Sequence, residues 1–212
     1  MTRWRFGVEP LPESLAVASL MRRVTGLVLS LEAPHAALTN LAAALRNAEL
    51  ELAKLAPADP APRISEKVAA NARVYIDHSG DIGAYNPCFP TYQIRVEGDR
   101  ASGTVNFPIA YEGPPGIVHG GFLALFFDSV VQHHNCELGL AGKTTSLTLR
   151  FRRPAPLLTD LEFEVDRSLD ERRITSRARL LAAGAVLCEA EVSAVAGNRA
   201  ALPEVSPRRV VR

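Results

Sequence analysis

The stretch PPGIVHGGFLALFFDSVVQHHN, residues 114–135, decides how this chain is organised. Residues 121–131 are apolar around almost the whole circumference of a helix, which predicts a helix buried on most of its faces. One carboxylate, Asp128, interrupts that run, where an ionised side chain is costly unless it is paired or hydrogen-bonded. Asp128 is therefore either a structural side chain that meets a cap or an arginine, or a nucleophile or general base held in a dry cleft.

The residues just before the helix favour the catalytic interpretation. Residues 114–116, PPG, predict a stiff turn, and His119, Gly120 and Gly121 stand where the helix should begin. A helix N-terminus presents N–H groups without intrahelical partners and the positive end of the helix dipole. Glycines let a substrate approach the backbone, and such N–H groups stabilise the oxyanion formed when a carbonyl is attacked. A tight turn explains the glycines alone equally well, but with Asp128 downstream catalysis is the better interpretation.

The spacing of these residues predicts an assembly. Gly120 and Asp128 are eight residues apart, so along one helix they are separated by ~12 Å. An oxyanion donor and a nucleophile must each lie within ~3 to 3.5 Å of the atoms that react. One helix cannot supply both to one substrate. If both residues are catalytic, the site combines Gly120 of one subunit with Asp128 of another, which predicts a homodimer or a dimer of dimers.

From about residue 91 the hydrophobic period changes to two, which is typical of strands. The period runs through five segments: TYQIRVEGDRASGTVNF, TTSLTLRFRR, LEFEVDRSL, ITSRARLL and AVLCEAEVSAVA. They predict two strands before the helix and four after it, joined mainly by tight turns. No helices alternate with the strands, which argues against a doubly wound parallel sheet. We therefore expect an α+β fold in which an antiparallel sheet wraps around one long central helix.

The N-terminal part has a different pattern. Residues 12–56 show helical spacing interrupted at Pro34, and the second segment carries an apolar seam of Leu38, Leu41, Leu45, Ala48, Leu52 and Leu55. This predicts a helical hairpin that packs on the main domain or on a partner subunit. The predicted organisation is a helical extension and linker over 1–62, a main domain over 63–198 and a loose tail over 199–212.

Composition narrows the classes of function. The 212 residues are 47% hydrophobic and 22% charged, as in an ordinary soluble globular protein. A formal net charge of +1 argues against a nucleic-acid partner, and no apolar run reaches the ~18 to 20 residues of a membrane span. The start of the chain lacks the apolar core and cleavage site of a signal peptide, which predicts a cytoplasmic protein.

No metal site is expected from the sequence. The three cysteines are scattered and fit neither a disulfide framework nor a zinc motif: Cys88, Cys136 and Cys188. The histidines around Asp128 also reproduce no zinc or iron motif. Two of them, His133 and His134, lie near the end of the predicted helix, where the dipole favours a cation.

The segments GPPGIVHGGFLALFFD and TTSLTLRFRRPAP together resemble the hotdog-fold acyl-CoA thioesterases, most closely the phenylacetate-pathway and human thioesterase-superfamily branch. The resemblance covers roughly residues 85–196 and leaves the N-terminal helices unmatched. It implies a hotdog fold and hydrolysis of an acyl-CoA thioester to a free acid and coenzyme A, in fatty acid metabolism. It implies no cofactor, since coenzyme A is part of the substrate.

The resemblance also implies roles for individual residues. Gly120 would offer its backbone N–H to the thioester oxygen, and His119 would position the thioester or the leaving sulfur. Asp128 would attack the carbonyl or activate water. Thr144, sixteen residues later, would orient the water or the carboxylate, and Thr145 would take that role if the strand register slips by one.

Two further groups complete the expected site. Some relatives carry a polarising Asn six residues before the His, where this chain has Gly113; Asn86 either substitutes for it in space or forms a turn. The RFRRP segment offers guanidinium groups for the phosphates of coenzyme A: Arg150 and Arg152 on one face of a strand, Arg153 on the other. Solvated arginines at a strand end are the alternative.

Two other functions remain open at this stage. One is a non-catalytic acyl-CoA-binding module on the same fold, because fold alone does not establish activity. The other is a hotdog dehydratase or hydratase of β-hydroxyacyl thioesters. The spacing of the HGG motif and Asp128 favours hydrolysis, but whether Asp128 acts as nucleophile or as general base stays open.

Overall fold

A computed structural model of the protein describes residues 12–55, 86–138, 140 and 142–196. Three α-helices and six strands lie in these ranges. In chain order they are α1 (Pro12–Leu29), α2 (Ala36–Leu55), β1 (Tyr92–Glu97), β2 (Arg100–Asn106), α3 (Gly120–Glu137), β3 (Gly142–Phe151), β4 (Asp160–Asp170), β5 (Arg173–Ala182) and β6 (Ala185–Ala196). A short 3₁₀ helix, Ile109–Tyr111, precedes α3.

The six strands form one sheet in the order β1-β2-β4-β5-β6-β3, and all neighbours are antiparallel. The strands before and after α3 are those that the period-two segments predict, and the first hairpin turns at Gly98 with a φ of 61°. The α+β class and the antiparallel sheet around one helix are therefore confirmed. In this order β1 and β3 are the edge strands of the described sheet.

The core lies between α3 and the inner face of the sheet. Phe126 and Phe127 of α3 are fully buried, and the Phe126 ring meets Phe107 and Phe163 edge-on at centroid distances of 5.4 and 5.3 Å. Burial of each such side chain contributes about 1.5–3 kcal/mol relative to exposure. This packing fixes the position and rotation of α3 against the sheet.

The helix α3 packs on the sheet through one side, whereas the sequence predicted burial on most of its faces. Its side chains at 123, 126, 127, 130 and 131 are buried, whereas Leu125 is 42% exposed and Asp128 is half-buried. The sheet covers one side of the helix only. Among the described residues nothing covers the opposite stripe, so the core of the described part does not explain the apolar composition there.

The two N-terminal helices confirm the helical prediction for this region. The helix α1 packs on the 3₁₀ helix: Ala18 is buried, and Arg22 Nη1 donates to the carbonyl oxygen of Asn86 at 2.9 Å. No residue of α2 is buried, and Leu52 and Leu55 at the end of its apolar seam are exposed. The predicted linker and tail, with the boundaries at 62/63 and 198/199, fall outside the described residues. Among the helices in the described ranges, none is long and apolar enough to span a bilayer.

Candidate active site

The first turn of α3 leaves one backbone N–H without an acceptor. His119 is the N-cap in extended conformation, with φ −64° and ψ 132°, and its Nδ1 accepts the N–H of Gly121 at 3.0 Å. The His119 carbonyl oxygen accepts the N–H groups of Phe122 and Leu123. Nothing among the described residues accepts a hydrogen bond from the N–H of Gly120. Gly120 therefore presents the donor that the dipole end makes suitable for an anionic oxygen.

This arrangement separates the roles expected for the HGG residues. The N–H of Gly121 already donates to His119 Nδ1 in the N-cap, so it is not a free donor. His119 is exposed, but its Nδ1 is also used by the cap, so its Nε2 is the ring nitrogen left for a substrate.

Both glycines at the start of the helix have close side-chain neighbours. A Cβ at Gly120 would lie 3.0 Å from Cζ of Phe151, and a Cβ at Gly121 would lie 3.1 Å from Nδ1 of His119. The Phe151 ring, at the end of β3 and 60% exposed, therefore lies directly over Gly120. An exposed aromatic ring here forms an apolar wall next to the candidate oxyanion donor.

Gly113, six residues before His119, has no room for a side chain. A Cβ at Gly113 would meet the backbone Cα of His119 at 2.9 Å. Asn86 does not replace it through its side chain, because Asn86 Oδ1 accepts the N–H of Cys88 at 2.9 Å and closes a turn. The turn interpretation of Asn86 is thus the one the structure supports.

The carboxylate is held from the edge strand. Thr144 Oγ1 donates to Asp128 Oδ1 at 2.7 Å, and Gln132 Nε2 donates to Thr144 Oγ1 at 2.8 Å. Thr145 Oγ1 instead donates to the carbonyl oxygen of Ser193 at 3.1 Å. Of the two threonines, Thr144 is the one brought to the carboxylate.

A β-bulge decides this choice. Thr144 pairs with Ala194 and Ser146 with Ser193, so Thr145 is an extra residue in the ladder between β3 and β6. The bulge puts Thr144 on the same side as the later residues Leu147, Leu149 and Phe151, whose partners Val192, Ala190 and Cys188 are buried under α3. Strict alternation would have placed Thr145 on that side instead.

Gly120 and Asp128 have the separation that the sequence predicted. Gly120 and Asp128 belong to one uninterrupted helix, Gly120–Glu137, so their separation of eight residues is ~12 Å along its axis. Within one chain they do not meet a common carbonyl group.

The three candidate arginines, Arg150, Arg152 and Arg153, are all exposed. Arg150 is exposed and alternates with Leu149 and Phe151, so its side chain lies on the outer face of the sheet. Arg152 Nε pairs with Glu189 Oε2 at 2.7 Å, and Arg153 is exposed.

The histidines at the end of α3 correct the expectation of a cation there. His133 and His134 are buried, and burial lowers the pKa of both below the ordinary 6.5, so desolvation outweighs the dipole. His133 Nδ1 instead lies 2.8 Å from the Tyr92 hydroxyl oxygen.

Across the described ranges no three His, Cys, Asp or Glu side chains are grouped to hold a metal ion. Cys88 is exposed, whereas Cys136 and Cys188 are buried, and burial raises the pKa of the Cys188 thiol to about 11.

Two residues of this region were not singled out from the sequence. Gln132 stands one helical turn after Asp128, a spacing that places both on one helix face and could have suggested it. Phe151 had no such signal, because its contact with Gly120 joins distant parts of the chain.

Comparison with known proteins supports the fold and the resemblance. No family model and no curated protein matches the chain. A crystal structure of a thioesterase superfamily protein superposes with a TM-score of 0.72 and 29% identity, covering 90% of this chain and 94% of that one. A hypothetical thioesterase protein with coenzyme A from Streptococcus pneumoniae TIGR4 matches at TM-score 0.48 and 17% identity, covering 51% of this chain and 90% of that one. Thioesterase superfamily member 2 from Mus musculus matches at TM-score 0.46 and 13% identity, covering 51% and 82%.

The first of these structures confirms the resemblance to hotdog thioesterases and, with the sheet order and helix described above, the hotdog fold. Because it covers 90% of the chain, it extends well beyond residues 86–196, which make up about half of the sequence. The likeness therefore includes residues outside the part that the sequence motifs had matched.

Proposed function

We propose that this chain is an acyl-CoA thioesterase, which hydrolyses a thioester of coenzyme A in an active site shared by two copies of the chain. One observation carries the proposal: the open side of α3 presents both an N–H without an acceptor, at Gly120, and a carboxylate held by a hydroxyl, at Asp128. The match to a thioesterase superfamily protein at 29% identity over 90% of the chain supports this choice of chemistry.

The two groups suit the two charges that the reaction develops. The Gly120 N–H would donate to the thioester oxygen as it becomes an oxyanion. Asp128 would take a proton from water while the water oxygen bonds to the carbonyl carbon; the C–S bond then breaks, and the departing thiolate takes up the proton. In the other route an Asp128 oxygen bonds to the carbon, the C–S bond breaks and the thiolate leaves. Water then cleaves the resulting anhydride, which releases the acid and restores the Asp128 carboxylate, while a proton from water passes to the thiolate.

Pairing of the edge strand β3 between two copies would bring Gly120 of one copy close to Asp128 of the other. Its two ends are tied to different parts of the site, since Thr144 holds Asp128 and Phe151 covers Gly120. Its outer edge has no neighbouring strand among those described. An unpaired strand edge is a template for pairing with a second copy.

A two-fold axis would bring the ends of β3 together. In an antiparallel pair of β3 strands, an axis near Leu147 or Thr148 sets Phe151 within one residue of Thr144 of the partner subunit. Opposite residues in such a pair are about 5 Å apart, compared with ~12 Å between Gly120 and Asp128 in one chain. The pairing therefore supports two equivalent sites, each with Gly120 from one copy and Asp128 from the other.

The surroundings suit an apolar acyl group. Leu125 and Phe151 are 42% and 60% exposed beside the candidate donor and carboxylate. Arg150 and Arg153, both exposed, remain candidates for the phosphates of coenzyme A, with Arg152 already paired to Glu189. A cytoplasmic role in fatty acid metabolism, with neither a nucleic-acid partner nor a cofactor, belongs to the same proposal.

Thiol release from short, long and aromatic acyl-CoAs tests the proposal. We expect turnover by the wild type and a loss of at least about 100-fold in Asp128→Asn, with coenzyme A binding largely kept. Asp170→Asn, which changes an exposed carboxylate at the β4–β5 turn, is the matched control. Wild-type turnover by Asp128→Asn on every substrate would contradict the role of Asp128.

The same substrates separate the other functions. Saturable binding of acyl-CoA without thiol release on any of them would indicate a binding module. Water addition to crotonyl-CoA without thiol release would indicate a hydratase.

A further inference from the structure

A chain of two hydrogen bonds links α3 to the edge strand at the candidate carboxylate. Gln132 Nε2 donates to Thr144 Oγ1 at 2.8 Å, and Thr144 Oγ1 donates to Asp128 Oδ1 at 2.7 Å. Gln132 lies one turn after Asp128 on α3, so both side chains reach the same threonine on β3. Thr144 is thus held from two sides by one helix face.

The chemistry of the three groups fixes where the threonine proton points. A hydroxyl has one proton to donate and two lone pairs, whereas an ionised carboxylate only accepts. With the amide N–H of Gln132 on the Thr144 oxygen, the hydroxyl proton is directed to Asp128 and both contacts are attractive. If the amide oxygen faced Thr144 instead, two acceptors would compete for one proton.

From this arrangement we infer that Gln132 is a positioning residue of the site: it holds Thr144 as a donor to Asp128. The inference rests on the proposed function and deepens it, because it decides between the two roles left open for Thr144. The only proton of Thr144 is committed to the carboxylate, so Thr144 donates to Asp128 and not to the water.

The same bond selects the reactive oxygen. Asp128 Oδ1 accepts from Thr144, whereas Oδ2 accepts no hydrogen bond from any described residue. The Asp128 side chain is half-buried, so part of it remains open to solvent. Oδ2 is therefore the oxygen that takes the proton of water or attacks the carbonyl carbon.

Substitutions at Gln132 test the inference by changing what the side chain can donate. Gln132→Met keeps the length and removes the donor, and Gln132→Glu replaces the donor by an acceptor. We expect kcat to fall about tenfold in Gln132→Met and further in Gln132→Glu, with KM within about twofold. The reason is that the Thr144 hydrogen bond directed by Gln132 is made to a charged group, and such bonds are the stronger ones. Gln93→Met, at an exposed glutamine of β1, is the matched control and should leave kcat unchanged.

Repeating the Gln132 substitution in a variant without the Thr144 hydroxyl shows whether Gln132 acts through Thr144 or through the general stability of the fold. In a Thr144→Val background Gln132→Met should cost no further activity, because the hydroxyl through which Gln132 acts is gone. Equal losses with and without Thr144, or wild-type kcat in Gln132→Glu, would overturn the inference.

A second measurement does not depend on turnover. The coupling between Asp128 and Thr144 is the non-additive part of the Tm shifts in Asp128→Ala, Thr144→Val and the double variant. We expect this coupling to fall by at least half when Gln132 is Met, and an unchanged coupling would contradict the role of Gln132. If the wild type released no thiol from any acyl-CoA, the proposed function would fail, yet this cycle would still decide whether Gln132 directs the Thr144 proton.

Discussion

If each site combines Gly120 of one subunit with Asp128 of the other, mixing the subunits of two inactive variants should restore part of the activity. Within one chain the two residues are ~12 Å apart along α3, too far to act on one carbonyl group. The two lesions are Asp128→Asn, which removes the carboxylate, and Gly120→Pro, which removes the N–H. Proline is tolerated at the first position of a helix. His119, with φ −64° and ψ 132°, already has the extended conformation favoured before proline.

The size of each effect follows from the geometry. Loss of one oxyanion donor costs about 10²–10³-fold in kcat, so each variant alone should be nearly inactive. In a randomly reassociated equimolar mixture half of the dimers are mixed, and each mixed dimer has one intact site out of two. Recovery should therefore approach about one quarter of the wild-type activity.

The assay is thiol release from the best acyl-CoA substrate, after co-expression of the two variants or after subunit exchange. Gly120→Ala is the matched control for the bulk added at this position: its Cβ meets the same Phe151 ring at 3.0 Å, but it keeps the N–H and should lose far less activity than Gly120→Pro. If confirmed mixed dimers show no more activity than the two parents, the two groups act within one chain, and the shared site is wrong.

Three further predictions concern stability and reactivity. Burial lowers the pKa of His133 and His134 in the folded protein, so below pH 6.5 the unfolded chain binds more protons than the folded one. The free energy of unfolding should therefore fall by up to about 1.4 kcal/mol per histidine and pH unit as the pH drops below that value. Urea titrations from pH 8 to 5 would show this fall, and a free energy of unfolding that does not change with pH would contradict it. Gly113→Asn should lower stability by about 1–3 kcal/mol in thermal melts, because its Cβ would meet the backbone of His119 at 2.9 Å, and an unchanged Tm would show that the loop adapts. A thiol reagent should label Cys88 alone in the folded protein, since the other two cysteines are buried, and rapid labelling of more than one thiol would count against the described packing.

Much of this molecule follows from local patterns. The period of two along the strands and the apolar run of α3 depend on neighbours a few residues away, so both could be predicted from the sequence. The same holds for the separation of Gly120 and Asp128, because the rise per residue of a helix is constant. That separation, which one chain cannot bridge at a single carbonyl group, therefore follows from the sequence alone.

The contacts around Asp128 were decided by the tertiary structure. The bulge at Thr145 changes which threonine faces α3, and a bulge is a property of the ladder between β3 and β6 rather than of either strand. The hydrogen bond from Gln132 to Thr144 exists because β3 runs beside α3.

The tertiary structure also decided which side chains are buried. The sequence predicts an apolar helix, but only the sheet determines which side of it is covered, so Leu125 remains exposed while His133 and His134 are desolvated and neutral. Helix and strand periods are set by interactions along the backbone, whereas strand register, solvent exposure and the partner of a side chain are set by segments far apart in the chain. The sequence by itself therefore determined the elements and the spacing of the two candidate groups, and the packing of β3 against α3 determined what each group contacts.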